Sequence, residues 1–267
     1  MKFLYHYQLI NSMVDALLKD VQEFKHLANI NVKEAYGMLL AATINGVYGT
    51  EVMPLENPIL NKISEKTHRI CEIAVEKLNQ GLYGFWICEA LREIIDMATL
   101  HPNRRYVIIC DALGIHDFLL LTYEFGGRVR PMFAINPGGK TKTFEYMVKQ
   151  CPILRRTYIR EVDEPSLALI AKIVAQHIGA SSERYDDFDK CVHFTSTKDF
   201  RGLVTTLYRP LEKLLTKVKI YLNSGFTVLM LADHGYDINP INFTLYHGWT
   251  SRAGLSLSIL APLLVVR

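Results

Sequence analysis

The chain has 267 residues, 49% hydrophobic and 21% charged, an ordinary globular composition that can bury a substantial core in one large domain or two modest ones. The formal net charge of +3 excludes a strongly basic nucleic-acid binder and a polybasic membrane-surface protein. No membrane span is expected either, because the longest apolar stretch, Leu255 to Val266, is interrupted by two serines and a proline and is too short for a bilayer.

Met1 to Ile10 carries tyrosines, a histidine and a glutamine where a secretory signal needs an unbroken apolar core. Five cysteines (Cys71, Cys88, Cys110, Cys151 and Cys191) form no C-x-x-C pair. Together these features predict a cytoplasmic protein, most of whose cysteines are small buried hydrophobes. Leu9, Ile10, Met13, Val14, Leu17, Leu18, Val21 and Phe24 mark one helical face. Ile63, Ile70, Ala74 and Leu78 mark a second, with Gly81 as its C-terminal stop. A more thoroughly apolar helix is predicted over Phe85 to Leu100, ended by His101-Pro102. His68 and Glu72, four apart, read as a solvated helix face. Residues 1–102 are thus expected to be a helical subdomain, able to cap a site, self-associate or recruit a protein partner.

From Arg104 the period changes. Tyr106 to Cys110 predicts a buried strand ending at Asp111, and Val129 to Ile135 a second, followed by the turn Asn136-Pro137-Gly138-Gly139. Helices are predicted from about Thr143, over Pro165 to Ile178 and over Leu207 to Leu222; strands are predicted over Cys191 to Thr195 and Thr227 to Ala232. Alternation of this kind implies that residues 103–267 form an α/β domain, a largely parallel sheet sandwiched by helices. Ligands of such sheets gather at the carboxyl ends of the strands.

Val228 to Ala232 ends in Asp233-His234-Gly235, placing a carboxylate and an imidazole side by side at a strand end. Such a pair can hold one cation, or Asp233 can cap a helix with His234 incidental. Asp111 has the same two readings. Thr143 opens a helix, where backbone N–H groups favour a phosphate, with Thr141 two residues before it and Lys140 and Lys142 adding positive charge. Asp199 lies in the loop Ser196 to Gly202, and His247 precedes the last apolar segment.

The order of these elements resembles the alkaline phosphatase superfamily, and more closely the PglZ domain of phage-defence systems. Thr141-Lys142-Thr143-Phe144 is similar to the nucleophile segment of nucleotide pyrophosphatase/phosphodiesterases. Asp111-Ala112-Leu113 looks like the PglZ opening, and Gly254-Leu255-Ser256-Leu257 with Pro262 like its close. The resemblance covers residues 104 to 267 and implies an alkaline phosphatase-like fold and a metal-dependent hydrolase of phosphate mono- or diesters, nucleotides or nucleic acid among them. It implies that Asp111, Asp233 and His234 hold a divalent ion, Zn2+ first and Mn2+ or Mg2+ next, that activates Thr143 as nucleophile, with Thr141 as the alternative in the same segment. Asp199 and His247 would belong to a second ion about 4 Å away. There the chain departs from the pattern, which expects Asp-x-x-x-His or Asp-x-x-Gly-Asp. Leu203 stands where a ligand should be, and Arg252 occupies the expected histidine position. The first site is therefore complete; for the second, either a small insertion lets His247, five residues earlier, reach back, or the ion is lost and Arg252 supplies charge and phosphate-matching geometry in its place.

Two rival readings remain. Ala134 to Thr141 fits a loosened P-loop, with Lys140 on the phosphates and Asp233 on magnesium, although Pro137 removes an N–H from the cradle. The defective second site also suits a non-catalytic interaction module of the same fold.

Overall fold

The computed structural model describes residues 2–81, 86–100, 103–153, 166–250 and 254–267. Its first four elements are helices: α1 (Lys2–Leu27), α2 (Val32–Tyr48), α3 (Pro58–Asn79) and α4 (Trp86–Thr99). Then come β1 (Arg104–Cys110), α5 (Ile115–Phe125), β2 (Val129–Ile135), α6 (Thr141–Lys149) and α7 (Leu167–His177). The chain continues with β3 (Ser181–Tyr185), α8 (Asp187–Phe194), α9 (Phe200–Asn223) and β4 (Phe226–Ala232). It ends with a small hairpin, β5 (Asp237–Ile238) and β6 (Leu245–Tyr246), and the last strand, β7 (Leu260–Val266).

Side-chain chemistry sets the helix ends. Asn31 caps α2 by accepting from the Glu34 N–H (2.9 Å), and Gly49 closes it with a left-handed φ of 64°. Asn57 caps α3 ahead of Pro58, and Ser166 caps α7.

The sheet order is β2-β7-β4-β1-β3. β1 pairs in parallel with β3 and β4, whereas β7 runs antiparallel between β4 and β2. The sheet is therefore mixed. Alternation along the strands divides two apolar layers. Ile108, Cys110, Val228, Met230 and Ala232 face the core shared with α1, α2, α3, α5 and α9. Val107, Ile109, Leu229, Leu231, Leu263 and Val265 face the other core, covered by α4, α6 and α7. Burial on both faces is why these strands read as continuous apolar runs. The helices of residues 1–102 divide between the two faces: α1 to α3 lie over α5 and α9, while α4 packs directly on the sheet.

The third strand is Ser181–Tyr185, not Cys191–Thr195. Cys191 to Phe194 is the end of helix α8, whose buried Phe188 and Val192 are one turn apart. β3 carries only polar residues before Tyr185 because it lies at the sheet edge. Cys88 and Cys151, 63 residues apart in sequence, are joined by a disulfide that ties α4 to the end of α6. Cysteine spacing therefore gives no support for a reducing compartment. Cys71 and Cys110 are the buried free thiols expected, and Cys191 is half-buried. No helix among the described residues is long and apolar enough to cross a membrane.

Candidate metal centre

Strands β1, β2, β3 and β4 point the same way, so residues 111, 136, 186 and 233 emerge on one edge. The loop before β7 reaches that edge too, because β7 runs in the opposite direction.

Asp111 follows β1, and its N–H donates to Tyr185 O (2.8 Å). Ala112 then adopts φ 66°, rare for a residue with a Cβ. That turn aims the Ala112 N–H at Asp233 Oδ1 (3.1 Å), which also accepts from the His234 N–H (2.9 Å). The Asp233 carbonyl accepts from Asn136 Nδ2 (2.9 Å). One carboxylate oxygen of Asp233 is thus fixed. The other, Oδ2, is buried without a hydrogen-bond donor and faces His234 Nε2 at 3.3 Å. His234 Nδ1 lies 2.7 Å from Gly235 O. A carbonyl only accepts, so Nδ1 carries the proton and Nε2 can present its lone pair. Gly235 is required here by close backbone approach: a Cβ would lie 2.6 Å from Leu257 O.

Asp111 Oδ1 lies 3.8 Å from His234 Nε2. Among the described residues, Asp111, Asp233 and His234 form one buried group that could hold an ion. Burial raises the Asp233 pKa, with the His234 charge opposing and the Asp111 charge reinforcing the shift. A buried acceptor with no donor, facing two other ligand atoms, fits a cation that takes oxygen and imidazole nitrogen.

The hydroxyl at this group belongs to Thr141. Its Oγ1 is 3.4 Å from Asp111 Oδ1 and 3.3 Å from His234 Nε2. Thr143 sits roughly 200° further around the helix, against the preceding turn, where its Oγ1 would be 2.1 Å from a Cβ placed on Gly138. Thr143, expected as the nucleophile, lies against Gly138 and, unlike Thr141, makes no hydrogen bond to the group.

A second group consists of Asp189, His193 and His247. His193 Nε2 lies 3.2 Å from Asp189 Oδ1 and 3.1 Å from His247 Nε2. The His234 and His247 rings are 4.7 Å apart, which makes the two groups neighbours. Burial, then the charge of Asp111, raises the Asp189 pKa. Burial, with His234 and His193 nearby, lowers that of His247 to about 4, leaving it neutral and able to act as a ligand.

Sequence reasoning missed Asp189 and His193. The signal was present: Asp189-Lys190-Cys191-Val192-His193 has the Asp-x-x-x-His spacing that the resemblance calls for. Reading Cys191 to Thr195 as a strand hid it, because i and i+4 share a face only on a helix. His247 lies in this group, beside Asp189 and His193 rather than the expected Asp199. Asp199 does not: its Oδ1 accepts from the Gly202 N–H (2.7 Å) and caps α9. Leu203 is buried in the core rather than standing at a vacant ligand position.

Arg184, also missed, is paired with Asp111 Oδ2 from the edge strand β3. Lys140 precedes α6 and lays its side chain over Gly248, and Lys142 is exposed on α6. Arg252 lies outside the described residues. In the turn after β2, Asn136 accepts the N–H groups of Gly138 (3.2 Å) and Gly139 (3.0 Å) and donates to Lys140 O (2.8 Å). Two of the donors that a P-loop would aim at phosphate are therefore already engaged.

No family model matches the chain, nor does any curated protein or solved structure.

Proposed function

We propose that this protein is a divalent-cation-dependent hydrolase of phosphate esters with an alkaline phosphatase-like arrangement, using Thr141 as nucleophile. The observation that carries the reading is the Thr141 hydroxyl, set between Asp111 and His234 at the first turn of α6. Asp111, Asp233 and His234 would hold one ion and Asp189, His193 and His247 a second, with Zn2+ or Mn2+ the best match to mixed carboxylate and imidazole ligands. Bound cations would supply Lewis acidity, lowering the pKa of the threonine hydroxyl and offsetting phosphoryl charge.

The chain supplies the rest. Thr141 donates toward Asp111 Oδ1, which directs its proton away from an approaching phosphorus. The Thr143 and Phe144 N–H groups already donate to Lys140 O, so those of Thr141 and Lys142, at the start of α6, are the ones that would take phosphoryl oxygens. Attack passes the Thr141 hydroxyl proton to solvent, forms the Thr141 Oγ1–P bond and breaks the bond from phosphorus to the ester oxygen, which leaves with a proton from solvent. Water then cleaves the phosphothreonine, releasing phosphate or a phosphomonoester.

The test is elemental analysis together with hydrolysis of p-nitrophenyl phosphate and bis(p-nitrophenyl) phosphate with Zn2+, Mn2+ or Mg2+. Thr141→Ala should lower kcat by at least about a thousandfold, whereas Thr143→Ala should stay within a few-fold of the parent. Equal loss in both variants would overturn the assignment. A protein that binds these ions but cleaves neither ester would instead be a non-catalytic module of this architecture.

A further inference from the structure

Asp111 belongs to the first group, and the second lies beside it, with the His234 and His247 rings 4.7 Å apart. Asp111 Oδ1 faces His234 and Thr141, and its charge is felt by Asp189 and His247. Its Oδ2 is taken by Arg184. The β1–β3 register sets Ile109 opposite Arg184, so the guanidinium reaches the position just past the end of β1. The Arg184 side chain is 42% exposed and that of Asp111 only 3%. The arginine therefore arrives from solvent and can leave without disturbing a core. It also lies near enough to Asp186 and Asp189, the latter a member of the second group, to feel their charge. Among the described residues it is the only lysine or arginine paired with a carboxylate of either group.

A guanidinium and a divalent ion compete for the same carboxylate oxygen, since both need its lone pairs. We propose that Arg184 is a displaceable counter-cation of the centre. It holds Asp111 Oδ2 while the Asp189–His193–His247 group lacks an ion, and it yields that oxygen when the group is filled. The freed guanidinium then faces the mouth beside Thr141 and binds an anionic phosphoryl group. Loading is therefore ordered, with the Asp111–Asp233–His234 group filling first. This inference rests on the two-cation reading above and adds to it a residue that sets both loading order and affinity for the phosphoryl anion.

The test is calorimetric titration of Mn2+ into the full chain, followed by titration of inorganic phosphate into the Mn2+-loaded protein. Parent, Arg184→Ala and Arg184→Lys are compared. The parent should show a tighter and a weaker step. Arg184→Ala should strengthen the weaker step about tenfold, because one charge-assisted bond no longer competes. It should leave the tighter step within about twofold and weaken phosphate binding at least about tenfold. Arg184→Lys should fall between, and it serves as the test if the alanine variant fails to fold by circular dichroism. A parent that takes one ion and an alanine variant that takes two would also support the proposal. Two ions in both proteins with equal affinities would overturn it and leave the two-cation reading intact. One ion in both would overturn it and reduce that reading to a single site. No ion in the parent would remove both.

Discussion

Four buried aspartates surround this end of the sheet, and they fall into two pairs. Asp117 and Asp237 are fully satisfied. Asp117 accepts from Tyr36 Oη (2.8 Å), Tyr236 Oη (2.9 Å) and the Gly114 N–H (2.9 Å). Asp237 accepts from Tyr48 Oη (2.8 Å), Ser256 Oγ (2.7 Å) and the Leu257 N–H (2.7 Å). Asp111 and Asp233 are different: Asp233 Oδ2 has no donor, and Asp111 is matched by a solvent-exposed arginine. A protein that provides three donors for each structural carboxylate can satisfy buried charge. Asp233 Oδ2, without a donor beside two other potential ligand atoms, is instead suited to a cation. The donors on the structural pair also show what the N-terminal helices do for the site. Tyr36 and Tyr48 both come from α2, and through Asp117 and Asp237 they brace the segment that carries Asp233 and His234.

The largest effect that tests this contrast is one of opposite sign. Asp233→Asn should weaken cation binding by at least about a hundredfold yet stabilise the cation-free protein by about 1–2 kcal/mol, since its amide can donate to His234 Nε2. Asp237→Asn should destabilise the protein by about 2 kcal/mol, because its NH2 would replace an acceptor oxygen and face at least one of the three donors. Calorimetry and urea unfolding of both variants decide the matter; destabilisation by Asp233→Asn would erase the distinction between the pairs. Tyr36→Phe should come next, costing about 1–2 kcal/mol for the donor lost to buried Asp117, measured by the same unfolding.

A pH experiment sharpens the contrast further. Burial raises the Asp117 pKa to about 7, despite its three donors, and depresses that of His116 to about 3. The raised carboxyl contributes stability that is lost as pH rises from about 4 to 7. The depressed histidine contributes stability that is present above about 6.5 and lost as pH falls toward 3. Over the shared window the two slopes oppose. Asp117→Asn should expose the histidine slope, so that stability rises by about 1 kcal/mol per pH unit between pH 4 and 6. His116→Gln should expose the reverse slope. Slopes of the same sign in both variants, in urea midpoints across pH, would overturn this account. The smallest effect is that of Asp199→Ala, about 1 kcal/mol from the lost α9 cap with no change in cation affinity; a fall in cation binding would return Asp199 to the centre.

Much of the site was legible because its residues end long apolar runs. Asp111 and Asp233-His234 stand at the ends of β1 and β4, where the hydrophobic pattern breaks and strand-end chemistry is expected. Asp189 and His193 were not legible in the same way. Cys191 to Thr195 is rich in β-branched and aromatic residues, so propensity favoured a strand, and tertiary packing of Phe188 and Val192 made it helical. β3 was hidden for the opposite reason, being an edge strand with no apolar run. Arg184 was hidden with it. The two threonines show the limit most clearly. Motif similarity reached the segment 141–144, but which hydroxyl faces Asp111 depends on where α6 begins, a matter of one or two residues.

The sequence by itself determined the alternation of strands and helices, the helical character of the described residues before β1 and the three candidate ligands at the strand ends. Those follow from local periodicity and from the breaks in it. Only the tertiary structure decided that β7 is antiparallel, that Cys88 meets Cys151 and that His247 joins Asp189 and His193. It also decided that Arg184 covers Asp111 and that α2 braces two buried carboxylates. Each is a contact between residues far apart in the chain, and periodicity records which face a residue takes, not which distant residue it meets there.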